Sequence, residues 1–261
     1  MYLTDTKNSK SVILTEILEK VSQIEYEGNP YAAFDLDNTL LIGDVGEAVF
    51  ASLIKNELIQ GFSWQDYQDL LCLNREAAYV KTVEIMDDLG LDILKKVTCE
   101  VIKSDNLNIE IGTVFIPYPK PNLVMQALIL FLHKMEIDVI VVTASNQISA
   151  EIVCKKYFDI PSSNVFGVPV SYDINRILAY KPSGIPYGIG KVTALKSKFS
   201  HKPVITGGDG IWDKDLLDYT SDKGVRLWLG HDMQEYLKLK EQYYPDKNFY
   251  HIQYQQDILE T

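Results

Sequence analysis

Residues 31–40 read Tyr-Ala-Ala-Phe-Asp-Leu-Asp-Asn-Thr-Leu and combine a short apolar run with two aspartates at its end. A nearly continuous apolar run of this length predicts a buried strand of a parallel sheet. Asp35 and Asp37 would then lie at the carboxyl end of that strand, where open α/β sheets bind their ligands. Asp37 followed by Asn38 also fits an ordinary strand-ending turn, because both side chains hydrogen-bond their own backbone. Other motifs in the sequence favour the first interpretation, in which the two aspartates belong to a ligand site.

Three further apolar runs predict strands, and segments with helical periodicity precede and separate the predicted strands. The runs cover residues 138–143, 203–209 and 224–229, and the helical patterns cover residues 11–25, 122–135 and 147–157. Strands that alternate with helices indicate an α/β fold, here a doubly wound, mostly parallel sheet with helices on its faces. Strand-like pieces between residues 166 and 187 predict a hairpin that extends this sheet.

A long segment separates the first two predicted strands. It has about 100 residues, far more than one crossover helix needs. Residues 46–113 are rich in helix formers and aromatic residues and show no obvious strand, so we interpret them as an inserted helical lid, or cap. Prolines in residues 117–121 return the chain to the core. The predicted domains are a core of residues 1–45 and 114–261 and a cap of residues 46–113.

The composition excludes several classes of protein. The 261 residues contain 25 Lys and Arg against 36 Asp and Glu, and this net charge of −11 argues against a nucleic-acid partner. The longest strongly apolar run, residues 137–144, is far shorter than the roughly 20 residues that span a bilayer. The first ten residues lack the pattern of a signal peptide, and the three cysteines lack the spacing of a zinc site or a disulfide framework. We therefore expect a cytoplasmic protein without a membrane partner.

Three more motifs accompany the Asp-x-Asp-x-Thr sequence of residues 35–39. Thr143 ends the second predicted strand, Lys191 opens a helix in Gly-Ile-Gly-Lys-Val-Thr, and residues 208–213 read Gly-Asp-Gly-Ile-Trp-Asp after the third strand. In these residues and their order the chain resembles the haloacid dehalogenase-like hydrolase superfamily, and within it the phosphoserine phosphatase-like and phosphorylcholine phosphatase-like group. The motifs span most of the chain, which disfavours the simple turn interpretation of Asp37.

The resemblance implies a catalytic role for each of these motifs. Asp35 would be the nucleophile that accepts the phosphoryl group, and Asp37 would be the general acid and base. Thr143 would donate to a phosphoryl oxygen, although it is also a candidate N-cap of the following helix. Lys191 would neutralise the negative charge of the phosphoryl group. Lys181 is the alternative for that role, and we prefer Lys191 because it begins a helix after glycines.

The resemblance also implies a bound Mg²⁺, which prefers oxygen ligands. The carboxylate of Asp35, the main-chain carbonyl of Asp37 and the carboxylate of Asp209 would hold it. Asp213 would hold the metal's waters, orient Asp209 or bind the ion directly. A carboxylate two residues after the nucleophile favours a phosphatase over a dehalogenase, because a halide leaving group needs no proton.

Residues that select the substrate are expected near the start of the lid. Asp44 matches the acidic lid residue of phosphoserine phosphatases, and Glu47 matches that of phosphorylcholine phosphatases. Either carboxylate would bind a substrate ammonium, or alternatively stabilise a helix N-terminus. Ala144 and Arg75, the only arginine between residues 46 and 113, complete the predicted substrate-binding residues.

Three lid aromatics are candidates for enclosing a quaternary ammonium, with lid packing as the alternative: Trp64, Tyr67 and Tyr79. The sequence thus predicts a Mg²⁺-dependent phosphatase whose partner is a small phosphorylated metabolite, one bearing an amine. The alternatives are a phosphotransferase that uses the same aspartyl phosphate and a catalytically silent phosphate-binding module. The sequence leaves the oligomeric state open.

Overall fold

The computed structural model describes residues 6–26, 28–178, 181–245 and 247–252, with only the backbone of residues 6–13. In this part of the chain the strands are β1 (Tyr31–Phe34), β2 (Leu41–Ile42), β3 (Asn108–Ile111), β4 (Val114–Pro117), β5 (Lys120–Pro121), β6 (Asp138–Asn146), β7 (Val165–Val168), β8 (Tyr172–Asp173), β9 (Arg176–Ile177), β10 (Ile205–Gly208), β11 (Val225–Trp228) and β12 (Asn248–His251). The α-helices are α1 (Thr6–Ser22), α2 (Val45–Lys55), α3 (Trp64–Leu73), α4 (Arg75–Glu84), α5 (Leu91–Lys103), α6 (Leu123–Lys134), α7 (Gln147–Phe158), α8 (Ile189–Lys198), α9 (Lys214–Asp218) and α10 (Met233–Tyr243).

Six parallel strands form the central sheet in the order β12-β11-β10-β1-β6-β7. Alternate residues of β1 face opposite sides of this sheet, as the two-residue period of a strand requires. Phe34 packs with residues of α1 and α6 on one face, whereas Ala33 packs with Leu195 of α8 and Leu216 of α9 on the other. The doubly wound α/β prediction is therefore confirmed.

The strand order reverses beside β1, and this reversal positions the site. The chain runs from β1 outward through β6 to β7, and then returns to the other side of β1 at β10. In such sheets a ligand binds in the crevice outside the carboxyl ends of the strands at the point of reversal. Three of the predicted motifs lie at or near the carboxyl ends of β1, β6 and β10, so the topology brings them to one edge.

The insertion after β1 begins and ends at a short antiparallel pair. Strand β2 pairs with β5, and the Asn122 N–H donates to the Leu40 carbonyl oxygen at 2.9 Å. The four helices α2 to α5 lie between these strands, in agreement with an inserted helical cap. The expectation of no strand there is wrong, because β3 and β4 form a hairpin across residue 113. The exact boundary of the cap stays a prediction.

A second connection joins the inserted segment to the core. Strands β8 and β9 form a separate ribbon whose backbone binds the segment between α4 and α5. The Asp88 N–H donates to the Ile177 carbonyl at 2.9 Å, and the Ile177 N–H donates to the Leu89 carbonyl at 2.9 Å. The predicted hairpin therefore does not extend the central sheet. In the part of the chain that the structure describes, β7 forms that edge of the sheet, and the ribbon's backbone bonds to the segment between α4 and α5 instead.

Three further findings complete the fold. Strand β12, which the sequence analysis did not identify, forms the edge of the central sheet beside β11. In the described ranges, no helix has the length and apolar character needed to cross a lipid bilayer. The three cysteines are free, and Cys154 is buried in the core.

Candidate active site

A tight turn after β1 presents the first two aspartates. The Asp35 N–H donates to the Gly207 carbonyl of β10 at 3.0 Å, which ties the end of β1 to its neighbour. Leu36 is fully buried and its carbonyl accepts the N–H groups of Leu40 and Leu41, both at 2.9 Å. Asn38 has a φ of 55°, a left-handed conformation that asparagine tolerates better than most residues. Asp35 and Asp37 are consequently held, buried, on either side of Leu36.

Lys191 faces the first aspartate from the first turn of α8. Its Nζ lies 2.6 Å from Asp35 Oδ1 and also donates to Asp213 Oδ1, and only 4% of Lys191 is exposed. Burial lowers the pKa of Lys191, but the charges of Asp213 and Asp35 outweigh burial and raise it above its ordinary value. The structure brings Lys191 into the site, whereas Lys181 is exposed and lines a separate groove beside α4.

Asp213 organises the loop that follows β10. Its Oδ2 accepts the N–H groups of Asp209 at 3.0 Å and of Gly210 at 3.3 Å. A Cβ at Gly208 would overlap the Asp213 side chain, so glycine is needed for this close approach. Of the roles left open for Asp213, orienting Asp209 is the one that these hydrogen bonds support.

Three carboxylates in this region have the chemistry of a divalent cation site. Oxygens of Asp35, Asp209 and Asp213 all lie within 4.8 Å of one another. Burial raises the pKa of Asp35 well above its ordinary value, and the neighbouring carboxylates raise it further, against the effect of Lys191. Burial and the charge of Asp213 likewise raise the pKa of Asp209 to about 7. Crowded anionic oxygens of this kind fit Mg²⁺, whose charge would relieve their repulsion.

Asp37 is held by three hydrogen-bond donors. Its Oδ1 accepts the Val45 N–H at 2.7 Å, and its Oδ2 accepts the hydroxyls of Thr143 at 3.0 Å and Ser145 at 2.7 Å. Burial raises the pKa of Asp37, and these hydrogen bonds oppose the effect. From the sequence, Thr143 is a predicted site residue and Ser145 is not.

Thr143 does not cap the following helix. Strand β6 continues to Asn146, and the Asn146 side chain accepts the Ser149 N–H at the start of α7. The Thr143 hydroxyl accepts the Ser145 N–H at 3.0 Å and donates to Asp37. Its predicted role toward a phosphoryl oxygen stays a prediction.

A cavity of about 270 Å³ lies between this group of residues and the inserted helices. Ala144, Asp44, Glu47 and Arg75 all line it, so every predicted substrate-binding residue reaches the same cavity as the predicted catalytic residues. Their roles toward a substrate remain predictions.

The two lid acids, Asp44 and Glu47, lie at the start of α2. Asp44 is the N-cap of α2, and its carboxylate accepts the Glu47 N–H at 2.7 Å. Glu47 Oε1 accepts the Tyr67 hydroxyl at 3.1 Å. Burial raises the pKa of both acids, and the charge of Asp37 adds to the effect. Asp44 therefore performs the structural role that was its alternative and still lines the cavity.

A cluster of aromatic residues lines the cavity where the lid meets the core. Arg75 donates to the Tyr79 hydroxyl at 3.3 Å, and its Cζ lies 5.8 Å from the ring centre of Trp212. The Tyr187 ring lies 5.5 Å from the rings of both Tyr79 and Trp212. Tyr187 and Trp212 were missed by the sequence analysis. Their contacts with α4 depend on the position of the lid, for which the sequence has no local signal.

The three lid aromatics have different environments. Tyr67 and Tyr79 line the cavity, as the ammonium hypothesis requires. Trp64 is buried against Phe50 and Tyr67 in the interior of the lid. Lid packing is therefore the observed role of Trp64.

The family model described as haloacid dehalogenase-like hydrolase matches residues 32–218. The chain belongs to the haloacid dehalogenase-like hydrolase family. The matched range runs from β1 to the end of α9 and includes every predicted site residue. Comparison with curated proteins gives no match.

Solved structures with low sequence identity share the fold. A conserved protein of unknown function from Anaerococcus prevotii is 15% identical with a TM-score of 0.65, over 96% of this chain and 93% of that one. A substrate-bound phosphoserine phosphatase is 14% identical with a TM-score of 0.50, over 82% of this chain and 99% of that one. A phosphoserine phosphohydrolase-like protein from Francisella tularensis is 15% identical with a TM-score of 0.50, over 76% and 86% of the two chains. These similarities show that the chain shares its fold with these structures.

Proposed function

We propose that this hydrolase is a Mg²⁺-dependent phosphatase that acts on a small phosphomonoester through an aspartyl phosphate on Asp35. The observation that carries the proposal is the convergence on Asp35 of one buried cation, Lys191, and two further carboxylates, Asp209 and Asp213. Asp37, two residues on, supplies the carboxyl group that phosphate ester cleavage needs and dehalogenation does not. Membership of a hydrolase family supports the same conclusion.

Asp35 and Asp209, with the main-chain carbonyl of Asp37, are the proposed ligands of Mg²⁺, and Asp213 is proposed to orient Asp209. When bound, the ion would neutralise charge on the phosphoryl oxygens and so reduce their repulsion of an anionic nucleophile. Lys191 contributes a second positive charge at the same place, because its Nζ is fixed between Asp35 and Asp213.

The reaction has two half-reactions at Asp35. In the first, an Asp35 oxygen bonds to phosphorus as the bond from phosphorus to the leaving oxygen breaks, and Asp37 gives that oxygen its proton. In the second, a water oxygen attacks the aspartyl phosphate and gives a proton to Asp37. Phosphate leaves and the Asp35 carboxylate is restored. Asp37 therefore begins the cycle protonated and ends it protonated.

The lid side of the cavity favours a substrate that bears an amine. Asp44 and Glu47 offer two carboxylates, and the aromatic residues Tyr67 and Tyr79 line the same cavity. Arg75 lies where it would bind a substrate carboxylate. Phosphoserine and phosphorylcholine represent the two types of substrate that these residues suit, and the small cavity limits the size of either. A cytoplasmic location and the absence of a nucleic-acid partner are part of this proposal.

A phosphate-release panel with and without Mg²⁺ tests the proposal. It would contain phosphoserine, phosphorylcholine, phosphoethanolamine and sugar phosphates, with Asp35→Asn as the matched variant. We expect Mg²⁺-dependent release that is fastest with an amine-bearing substrate and absent from the folded variant. Phosphorylated acceptor alcohol in place of free phosphate would indicate a phosphotransferase instead. Binding of phosphate without any turnover would indicate a silent binding module.

A further inference from the structure

Ser145 is a buried residue at the end of β6 whose hydroxyl donates to Asp37 Oδ2 at 2.7 Å. We propose that Ser145 is a positioning residue for the general acid, which holds the Asp37 carboxyl so that its proton meets the leaving oxygen. This inference rests on the proposed phosphatase function. It concerns a residue that no motif of the sequence analysis contained.

The three contacts of Asp37 divide between its two oxygens. Oδ1 accepts the main-chain N–H of Val45, a group that can only donate. Oδ2 faces two hydroxyls, those of Thr143 and Ser145. The Ser145 hydroxyl therefore fixes Oδ2 from the end of β6, while the Val45 N–H fixes Oδ1 from the start of α2. These contacts hold the plane of the Asp37 carboxyl group in one orientation.

Gly46 makes room for this serine. A Cβ placed at Gly46 would lie 2.5 Å from Ser145 Oγ and 3.3 Å from its Cβ. Because a serine hydroxyl can rotate, an alanine at residue 46 would displace Oγ away from Asp37 before it displaced the backbone. Gly46 lies in the first turn of α2, next to the Val45 N–H that holds the other oxygen. The first turn of α2 and the end of β6 thus position Asp37 together.

The role predicts a defect that depends on the leaving group. In the first half-reaction an alkyl oxygen must receive the Asp37 proton as its bond to phosphorus breaks, because an alkoxide is a poor leaving group. A 4-nitrophenolate ion is stable in water and leaves without that proton. Misplacing Asp37 should therefore slow cleavage of an alkyl phosphate much more than cleavage of 4-nitrophenyl phosphate.

The test compares Ser145→Ala with the wild type on both kinds of substrate. The value measured is kcat/KM, since it reports steps up to loss of the leaving group and excludes hydrolysis of the aspartyl phosphate. General acid catalysis contributes roughly 10²- to 10⁴-fold, and we expect loss of one of two hydroxyls to cost about 10- to 100-fold on the best alkyl substrate of the panel. We expect a loss below about threefold on 4-nitrophenyl phosphate. Equal losses on both substrates would overturn the proposal.

Ser149→Ala is the matched control. Ser149 is buried on α7 and its hydroxyl pairs with that of Thr98 at 2.8 Å, so its loss also removes a buried hydrogen bond. We expect a lower midpoint of thermal unfolding and an unchanged ratio of the two kcat/KM values. A ratio that falls as it does in Ser145→Ala would assign the effect to general loosening of the fold and overturn the proposal.

Gly46→Ala tests the same contact from the opposite side. Alone, it should reproduce the selective loss on the alkyl substrate. In a Ser145→Ala background, where the displaced hydroxyl is already gone, the selective loss should grow by less than about threefold. Selective losses that multiply in the double variant would show that the two residues act separately, against the proposal.

A binding measurement separates positioning from assembly of the site. Mg²⁺ with beryllium trifluoride, a mimic of the phosphoryl group on a carboxylate, should raise the unfolding midpoint of the wild type and of Ser145→Ala equally. If these ligands no longer raised the unfolding midpoint of Ser145→Ala, Ser145 would be needed to build the site, which would contradict the proposed positioning role. If the wild type cleaves neither substrate, the phosphatase function itself fails, and the role of Ser145 fails with it.

Discussion

Replacing Lys191 with methionine keeps a long side chain but removes the cation that faces both Asp35 and Asp213. In the wild type, Nζ lies 2.6 Å from Asp35 Oδ1 and also donates to Asp213, and all three side chains are almost completely buried. Breaking a buried ion pair by removing one partner costs about 3–5 kcal/mol, because the remaining charge stays buried. For a chain of this size that corresponds to a fall of roughly 6–20 °C in the midpoint of thermal unfolding.

The loss should depend on pH. Burial already raises the pKa of Asp35 and Lys191 opposes this, so Lys191→Met raises that pKa further. A carboxyl whose pKa is higher in the folded than in the unfolded state stabilises the fold at low pH, and this stability is lost as pH rises through the folded pKa. The variant should therefore lose most stability at pH 8 and regain part of it at pH 5.5.

Thermal unfolding followed by circular dichroism, with EDTA present, measures both effects. Lys196→Met is the matched control, since Lys196 lies on the same helix with an exposed side chain and should change stability by less than about 0.5 kcal/mol. A Lys191→Met protein as stable as the wild type at pH 8, or equally destabilised at both pH values, would refute this electrostatic account of the site.

Three other predictions follow from the geometry. Mg²⁺ should raise the midpoint of thermal unfolding more at pH 8 than at pH 5.5. The pKa of Asp209 is raised to about 7, so protons compete with the ion at the lower pH. Equal shifts of the midpoint at both pH values would contradict a carboxylate site. Glu47→Gln should raise KM for an amine-bearing substrate roughly 10- to 100-fold and leave KM for a sugar phosphate without an amine unchanged. Equal changes of KM for both substrates in steady-state kinetics would exclude ammonium recognition by Glu47. Gly208→Ala should destabilise the fold by about 1–3 kcal/mol, since the added Cβ overlaps Asp213. It should also weaken Mg²⁺ binding measured by calorimetry. An unchanged affinity for Mg²⁺ would show that this loop does not position Asp209.

The residues at the strand ends could be predicted from the sequence for a physical reason. Asp35, Thr143 and Asp209 each follow an apolar run, and parallel strands bring their carboxyl ends to one edge. Lys191 could be chosen over Lys181 only from its position after glycines at a helix start. In the structure, Nζ of Lys191 contacts Asp35 while Lys181 is exposed elsewhere, and the role of Lys191 toward a phosphoryl group stays a prediction.

Contacts that depend on tertiary placement could not be predicted. Ser145 contacts Asp37 because β6 continues to Asn146, past an irregularity in its pairing with β7, and because Gly46 leaves space beside it. Trp212 and Tyr187 reach the cavity only through the position of the lid against the core. No local periodicity or motif predicts these contacts between segments that are distant in the sequence.

The missed strands have a different cause, which is their weak apolar pattern. In the hairpin of β3 and β4, Ile109 and Ile116 are buried while their neighbours along each strand are partly or fully exposed. One buried residue in four cannot be told from a loop by alternation. Strand β12 has the same difficulty, because its buried residues are Phe249 and His251 and the second of these is polar.

Covalent phosphorylation of Asp35 is the most direct test of the central claim, that this chain is a phosphatase working through an aspartyl phosphate. The enzyme would be mixed with Mg²⁺ and its best substrate from the panel, quenched in acid during turnover, digested and analysed by mass spectrometry. We expect one phosphoryl group on the peptide that contains Asp35, and neither label nor turnover in a folded Asp35→Asn protein. Phosphate release by Asp35→Asn at the wild-type rate, or label on a different residue, would contradict the account.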